Sequence, residues 1–149
     1  MSGTFTLRPY READEDAAIE LWRRTWQLAY PDIDFTARVA WWRERWRKEL
    51  VPAATVVVGE DGATMAGFVT IDGRGYLDQI VVAPEAWGSP LAKMLLDETK
   101  RISPSVVSLL VNLDNFRAIK FYEKNAFVAD GYGANPTSGR KVLRMVWRP

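Results

Sequence analysis

The chain has 149 residues, with no cysteine and no histidine, and its 20 Lys and Arg side chains face 19 Asp and Glu side chains, for a net charge of +1. This composition excludes disulfides, thiolate or imidazole catalysis, and zinc sites built on Cys or His. The near-neutral charge argues against a nucleic-acid partner, and no apolar stretch approaches the ~20 residues that span a bilayer. We therefore expect one cytoplasmic domain over residues 1–149, without a metal and without contact to a membrane.

The first third of the chain predicts one strand followed by two helices. Residues 4–8 alternate apolar and polar side chains as a strand. Asp14 is expected to cap a helix that ends before Pro31, and Thr36 to cap a second helix. Four tryptophans at helical spacing are expected in the core: Trp22, Trp26, Trp42 and Trp46. The basic residues of the second helix are expected on a solvated face, with Glu44 and Lys48 as an i,i+4 pair: Arg43, Arg45, Arg47 and Lys48.

The rest of the chain predicts strands first and crossover helices later. After Pro52, β-branched runs indicate three antiparallel strands at 55–59, 65–71 and 76–82, the first two joined by a turn at Asp61-Gly62. A helix at 91–102, a strand at 106–111, a helix at 115–124 and two closing strands at 127–132 and 142–147 follow. This order predicts an α/β protein with a mixed sheet flanked by about four helices.

Residues 79–96, QIVVAPEAWGSPLAKMLL, indicate a strand, a small-residue loop and a helix that begins at Pro90. Such a turn directs free N–H groups and the positive end of a helix dipole at one point, which suits a phosphate or pyrophosphate. The expected N–H donors are Gly88, Ser89, Leu91, Ala92 and Lys93. From this segment alone, an ordinary strand-to-helix connection is an equal alternative.

Residues 111–127, VNLDNFRAIKFYEKNAF, indicate a strand end and a helix opened by Asn115. Together the two segments resemble motifs A and B of the GNAT superfamily of acyl-CoA-dependent N-acetyltransferases. The first matches at Val82, Pro84, Gly88 and Ala92, and the second at Asp114, Asn115, Ala118, Ile119, Phe121, Tyr122, Glu123, Lys124 and Phe127. Three positions depart from the family pattern, namely Trp87, Pro90 and Ala126.

The resemblance implies a GNAT-like fold whose mostly antiparallel sheet is splayed between its fourth and fifth strands. It implies transfer of an acetyl group from acetyl-CoA to a primary amine of a small molecule or peptide by direct attack, with Tyr122 as general acid toward the CoA thiolate. The implied CoA-binding residues are Ile80, Val81, Val82, Trp87, Gly88, Ser89, Leu91, Ala92, Lys93, Asn115, Ala118 and Tyr122. A non-catalytic acyl-CoA-binding or regulatory module is the alternative, and a homodimer is one open arrangement.

The resemblance implies that the first two helices line the acceptor side, where an aromatic-walled pocket for an amine is one interpretation of their aromatic residues and core packing is the other. Asp78, which shares a face with Tyr76 and Ile80 if strand alternation continues, is the nearest carboxylate for deprotonating an ammonium acceptor, and a solvated strand-end Asp is the alternative. Tyr30, Trp41 and Tyr76 are the candidate substrate-binding residues. Trp41 lies off the core stripe of its helix, which favours it over the other tryptophans as a pocket residue.

Overall fold

The computed structural model of the protein describes residues 4–135 and 138–149. Within these residues the strands are β1 (Thr6–Pro9), β2 (Ala54–Asp61), β3 (Thr64–Asp72), β4 (Leu77–Val82), β5 (Val107–Asn112), β6 (Val128–Ala134) and β7 (Lys141–Trp147). The helices are α1 (Glu15–Ala29), α2 (Val39–Arg45, continued by a π-helical turn Trp46–Leu50 and a last turn Val51–Ala53), α3 (Leu91–Ile102) and α4 (Phe116–Lys124). The predicted α/β class and order of elements are confirmed.

The strands form two antiparallel sheets that meet at one point. The first sheet has the order β1-β2-β3-β4 and the second the order β5-β7-β6. Between the parallel strands β4 and β5, the described residues form a single bridge, from Tyr76 to Ser108 at the amino-terminal ends, where the Ser108 N–H donates to the Gly75 carbonyl at 2.8 Å. Beyond this bridge β4 and β5 no longer pair, so the predicted splay between the fourth and fifth strands is confirmed.

Two hydrophobic cores cover the faces of the sheets. One core packs α3 and α4 against both sheets, around Leu91, Leu95 and Met145. The other packs α1 and α2 against the opposite face of the first sheet, where the rings of Trp22 and Trp42 stack at 4.6 Å. Burial of each such large side chain contributes about 1.5–3 kcal/mol. Of the four tryptophans predicted in the core, Trp22, Trp42 and Trp46 are buried, and Trp26 packs half-buried at its edge.

Glycine lets α3 approach the first sheet closely. A Cβ atom added at Gly67 would lie 2.7 Å from the Val81 carbonyl oxygen and 3.2 Å from side-chain atoms of Leu91 and Leu95. Real Cβ atoms do not come as close as 2.7 Å to another atom, so a larger residue at this position would displace the Val81 carbonyl of β4 and would also crowd the two leucines of α3. The missing side chain thereby fixes the start of α3 beside the end of β4.

Of the two predicted caps in the first third of the chain, Asp14 is at the predicted N-cap position but its side chain does not cap α1, and Thr36 caps no helix. Asp14 does precede α1, but its carboxylate binds the Arg8 guanidinium at 2.7 and 2.8 Å and accepts the Arg11 N–H at 2.7 Å. Both carboxylate oxygens are thus held by residues that precede the helix, and the side chain makes no capping hydrogen bond to α1. Thr36 begins a separate 3-10 turn, where Asp34 Oδ1 instead accepts the Ala37 N–H at 3.1 Å.

The four basic residues of α2 are ion-paired, and two of them are also solvated. Arg43 and Arg47 both bind Glu15, in the first turn of α1, at 2.6–2.9 Å. Lys48 does form the predicted pair with Glu44, at 2.7 Å. The expected solvated face is found at Arg47 and Lys48, whose side chains are 63% and 73% exposed, whereas Arg43 and Arg45 are partly buried against carboxylates of α1 and β4. Within the described residues no helix is both long and apolar enough to cross a membrane.

Candidate functional site

The gap between β4 and β5 exposes main-chain groups of β4. The Ala83 N–H donates to the Ala66 carbonyl at 2.8 Å, and the next pair along the ladder is Val82 with Gly67. In an antiparallel pair, hydrogen-bonded and non-hydrogen-bonded positions alternate. The N–H and C=O groups of Val82, and by the same alternation those of Ile80, therefore point away from β3 and into the gap.

Val81, between them, has the opposite arrangement. Its main chain faces Phe68 on β3, and its side chain lies in the α1 and α2 core with 2% of its surface exposed. Val81 was predicted to bind CoA as part of this strand, but neither its main chain nor its side chain faces the gap.

A β-bulge interrupts β4 beside the gap. Val69 pairs with Ile80 and Ile71 pairs with Leu77, so Thr70 alone faces two residues, and its hydroxyl accepts the Gln79 N–H at 3.0 Å. Two residues opposite one shift the alternation of side chains. The expectation that Asp78 shares a face with Ile80 is wrong because of this shift. Ile80 packs into the core of α3 and α4, whereas Asp78 is directed toward α2.

Asp78 is ion-paired through both carboxylate oxygens. Arg45 of α2 donates to them at 2.7 and 3.2 Å, and the Gln79 side-chain amide donates to Oδ1 at 3.0 Å. The guanidinium also lies 5.4 Å above the Trp42 ring. Burial alone would lower the pKa of Arg45, but the hydrogen bonds to Asp78 and the negative charges of Asp78 and Glu49 together raise that pKa. A base role for Asp78 would require it to leave this pair.

The loop after β4 leads into α3 and presents amides at its entrance. Gly88 has φ +82, and nothing lies within 4 Å of where its Cβ would be, so the chain turns in open space. Of the predicted donors, the N–H groups of Ser89 and Leu91 are used locally, by the Ala86 carbonyl at 3.1 Å and by Ser89 Oγ at 3.3 Å. Among the described residues, the N–H groups of Gly88, Ala92 and Lys93 find no acceptor.

These three free amides lie at the start of a 12-residue helix, where the macrodipole also attracts negative charge. Pro90 is the residue preceding α3 rather than its first residue. The Lys93 side chain pairs with Asp97 one turn further along, at 2.7 Å. The predicted anion site therefore has three main-chain donors instead of five.

Helix α4 carries Tyr122 into the protein. As predicted, Asn115 caps the helix, its Oδ1 accepting the Ala118 N–H at 3.3 Å. The Tyr122 ring is 7% exposed and packs against Phe121 and Phe127, with centroids 5.5 and 5.6 Å apart. Burial raises the pKa of its phenol well above the ordinary value of 10, so the hydroxyl keeps its proton at neutral pH. Within the described residues no hydrogen bond occupies that proton.

The end of α4 accounts for one departure from the family pattern. The N–H groups of Phe127 and Ala126 donate to the carbonyls of Tyr122 and Glu123, at 3.0 and 3.2 Å, and Ala126 has φ +70. This is a Schellman motif, whose left-handed residue is usually glycine. Ala126 adopts the backbone conformation that glycine adopts more easily.

A polar cavity of about 360 Å³ lies between the end of α1 and the start of α4. The Tyr30 hydroxyl donates to Asp114 and accepts from the Asn112 side-chain amide, both at 3.0 Å. Arg140 donates to the other oxygen of Asp114 at 3.1 Å and lies 4.7 Å from the centre of the Tyr30 ring. Burial is the main cause that raises the pKa of Tyr30.

The cavity includes one of the three predicted substrate-binding residues. Tyr30 lines it, whereas Trp41 is 44% exposed on α2 and is not among its lining residues. Tyr76 lies at the bridge to β5, where burial raises the pKa of its phenol to about 12. The sequence did not identify Arg140 and Asn112 as residues that contact Tyr30 and Asp114. Asp114 itself was one of the matching positions of the second motif.

Trp87, which also differs from the family pattern, lies at the mouth of the gap between β4 and β5. Its indole Nε1 donates to the Val82 carbonyl at 2.9 Å, and the Arg117 guanidinium of α4 lies 4.9 Å from the centre of its ring. Trp87 is 39% exposed. The end of β4 and the first turn of α4 are thus linked through one side chain.

Comparison with known proteins places this architecture in a family. The family model of the acetyltransferase (GNAT) family matches residues 15–127. The chain belongs to the GNAT acetyltransferase family. None of the curated proteins matches the sequence.

Solved structures with the same fold have diverged far in sequence. A GCN5-related N-acetyltransferase from Rhodopseudomonas palustris is 19% identical, with a TM-score of 0.85 over 100% of this chain and 98% of its own. The paia N-acetyltransferase from Thermoplasma acidophilum, in complex with coenzyme A, is 19% identical, with a TM-score of 0.75 over 98% and 99%. The ribosomal-protein-S18-alanine N-acetyltransferase from Escherichia coli is 18% identical, with a TM-score of 0.75 over 97% and 94%.

Proposed function

We propose that the protein is an N-acetyltransferase that moves an acetyl group from acetyl-CoA to a primary amine by direct attack. The observation that carries this proposal is that two sets of main-chain groups find no partner in the strand ladder or helix that contains them. Those of Ile80 and Val82 face the gap, and those of Gly88, Ala92 and Lys93 face the space before α3. An extended arm with amides and an attached pyrophosphate would satisfy both sets, and coenzyme A combines the two.

The residues present fit this cosubstrate. Ile80 and Val82 would pair with the pantetheine amides as an added strand, and the amides before α3 would receive the pyrophosphate. Asn115 and Ala118 would border the arm from α4. Acetyl-CoA supplies the acetyl thioester, and the family membership together with the coenzyme A complex of the Thermoplasma acidophilum enzyme supports this choice.

Tyr122 is proposed as the general acid. Expulsion of a thiolate is assisted by a donor that is protonated at neutral pH, and burial keeps the Tyr122 phenol in that state. Its proton would pass to the departing CoA sulfur as the C–S bond breaks, while the amine nitrogen forms the new C–N bond. Before this attack an ammonium acceptor must lose one proton to free its lone pair, and Asp78 is the candidate base for that proton once it exchanges its pair with Arg45. After the attack the nitrogen loses its second proton, and a proton from solvent restores the Tyr122 phenol.

The acceptor is proposed to enter on the side of the polar cavity. Its lining includes Tyr30, Asp114 and Arg140, which come from three separate segments of the chain. A primary amine on a small molecule or a peptide would be placed there by contacts to these side chains.

Tyr122→Phe tests the proposal, because it removes the proton donor and keeps the ring between Phe121 and Phe127. With an acceptor found by a screen of amines with free-thiol detection, we expect kcat to fall about 100-fold or more and the acetyl-CoA Kd to change less than about threefold. Tyr132→Phe is the matched control, since Tyr132 is 79% exposed. Normal turnover of Tyr122→Phe would make Tyr122 a packing residue.

Two further measurements separate the alternatives. Acetyl-CoA binding without turnover of any amine would favour a non-catalytic acyl-CoA-binding module. Asp78→Asn decides the base, since a loss of kcat comparable to that of Tyr122→Phe supports proton transfer to Asp78. A near-normal rate would leave that proton to water.

A further inference from the structure

The side chain of Trp87 occupies a main-chain acceptor in the gap. Its Nε1 donates to the Val82 carbonyl at 2.9 Å, a distance typical of a well-formed hydrogen bond. The strand register directs this carbonyl away from β3. In the proposed function the same carbonyl accepts an N–H of the pantetheine arm. The indole and the arm therefore compete for one acceptor.

The indole is also held from the opposite side of the gap. The Arg117 guanidinium of α4 lies 4.9 Å from the ring centre, which is within range of a cation–π contact. Within residues 4–135 and 138–149, Arg117 forms no ion pair that would draw it elsewhere. The ring is thus attached to β4 by its N–H and to α4 by its face. These two contacts together are called the Trp87 latch below.

The loop that carries Trp87 has room to turn. Gly88 follows directly, with φ +82 and nothing within 4 Å of its added Cβ. At 39% exposed, the indole is not packed into either core. Outward rotation would break one hydrogen bond and one cation–π contact, and would leave the buried residues in place.

We propose that the Trp87 latch closes the mouth of the β4–β5 gap, and that acyl-CoA binds only after the indole leaves the Val82 carbonyl. This inference rests on the proposed function and adds the control of access to the same site. Only the fraction of molecules with an open latch is competent to bind, so the apparent Kd is the intrinsic Kd divided by that fraction. Trp87 therefore weakens acyl-CoA binding in this protein.

Trp87→Phe tests the latch with little other change. Phenylalanine keeps an aromatic face for Arg117 but has no N–H for the Val82 carbonyl. The net value of one hydrogen bond corresponds to a tightening of the acetyl-CoA Kd by about threefold to tenfold, measured by calorimetry on the full chain. Trp147→Phe is the matched control, because Trp147 also has a cation above its ring, Lys100 at 5.0 Å, but lies at the end of β7. The control Kd is expected to equal that of the unchanged protein.

Fluorescence gives a second readout. The emission of the unchanged protein minus that of Trp87→Phe isolates the Trp87 indole. On addition of acetyl-CoA this difference spectrum is expected to shift to longer wavelength, because the indole moves into water. The Trp147→Phe difference spectrum is expected to stay unchanged.

The outcomes separate the latch from the proposed function. If the unchanged protein binds acetyl-CoA and Trp87→Phe binds it equally or more weakly, the latch is overturned and the proposed function stands. A difference spectrum that does not move on binding overturns the latch as well. Tighter binding by Trp87→Phe supports it, including the case in which the unchanged protein shows no measurable binding. If neither protein binds acetyl-CoA, the proposed function is overturned, and the latch with it.

Discussion

Gly75→Ala tests the point where the two sheets join. An added Cβ would lie 2.4 Å from the Val106 carbonyl oxygen and 2.8 Å from Ser103 Oγ, and Gly75 has φ +83. The left-handed conformation costs alanine about 1–2 kcal/mol, and a weakened hydrogen bond from the Ser108 N–H costs about 0.5–1.5 kcal/mol. The lower entropy of the unfolded alanine chain offsets about 0.4–1 kcal/mol. We expect a net loss of about 2 kcal/mol in the free energy of unfolding.

Variants at two other glycines separate the cost of the backbone conformation from the cost of the steric contact. Gly62 has φ +63 and an open surrounding, so Gly62→Ala is expected to cost about 1 kcal/mol or less, from backbone conformation alone. Gly73 has neither a left-handed φ nor a close neighbour, and Gly73→Ala is expected to be neutral or slightly stabilising. Urea unfolding of the three variants gives the free energies. Amide exchange at Ser108 reports the bridge, where Gly75→Ala should reduce protection at least about tenfold. A cost no greater than that of Gly62→Ala would refute the steric reasoning.

Two further predictions concern stability. Ala126→Gly is expected to raise the free energy of unfolding by about 0.5–1 kcal/mol in urea melts. The reason is that relief of the left-handed strain at φ +70 exceeds the entropic cost of ordering glycine on folding. A destabilised variant would mean that Ala126 is not strained. Glu85 binds Arg24 of α1 at 2.7 Å, and this hydrogen bond lowers the pKa of Glu85 from 4.5 to about 2. Because the folded pKa is lowered, the pair stabilises the protein above about pH 4.5 and loses its effect as the pH falls toward 2. Glu85→Gln should therefore cost up to about 1 kcal/mol at pH 7 and progressively less in acid, and a cost independent of pH would contradict the ion pair.

Local patterns predicted the elements well where the signal lay within the element. Helix α3 has the predicted bounds Leu91–Ile102, because its apolar spacing and the preceding proline are both local. Asn115 caps α4 as expected, its Oδ1 accepting the Ala118 N–H. Asp14 fails as a cap because Arg8, on a strand six residues earlier, takes its carboxylate. The cap at Asp14 depends on a binding partner from another element, and the residue pattern of a helix does not encode such a partner.

The site depended more on contacts distant in sequence. The bulge in β4 is set by pairing with β3, and an alternating pattern over 76–82 does not reveal it. Arg45 and Asp78 are 33 positions apart in the sequence, so no local pattern predicts their ion pair. Gly88 and the helix start could be predicted from composition. The composition does not predict which of the amides stay free, because the Ala86 carbonyl and the Ser89 hydroxyl accept hydrogen bonds from two of them.

The groups of Ile80 and Val82 that face the gap belong to peptide units, which every residue except proline presents alike. Substitution of side chains therefore leaves a surface built from these main-chain groups unchanged, so the surface is insulated from mutation. The side chains of β4 can be exchanged for others that suit the two cores, and the gap would still offer the same donors and acceptors in the same order. This insulation is consistent with a fold shared at 18–19% identity with enzymes from Rhodopseudomonas palustris, Thermoplasma acidophilum and Escherichia coli. Evolution can thus vary the walls of the gap freely while its chemistry stays constant.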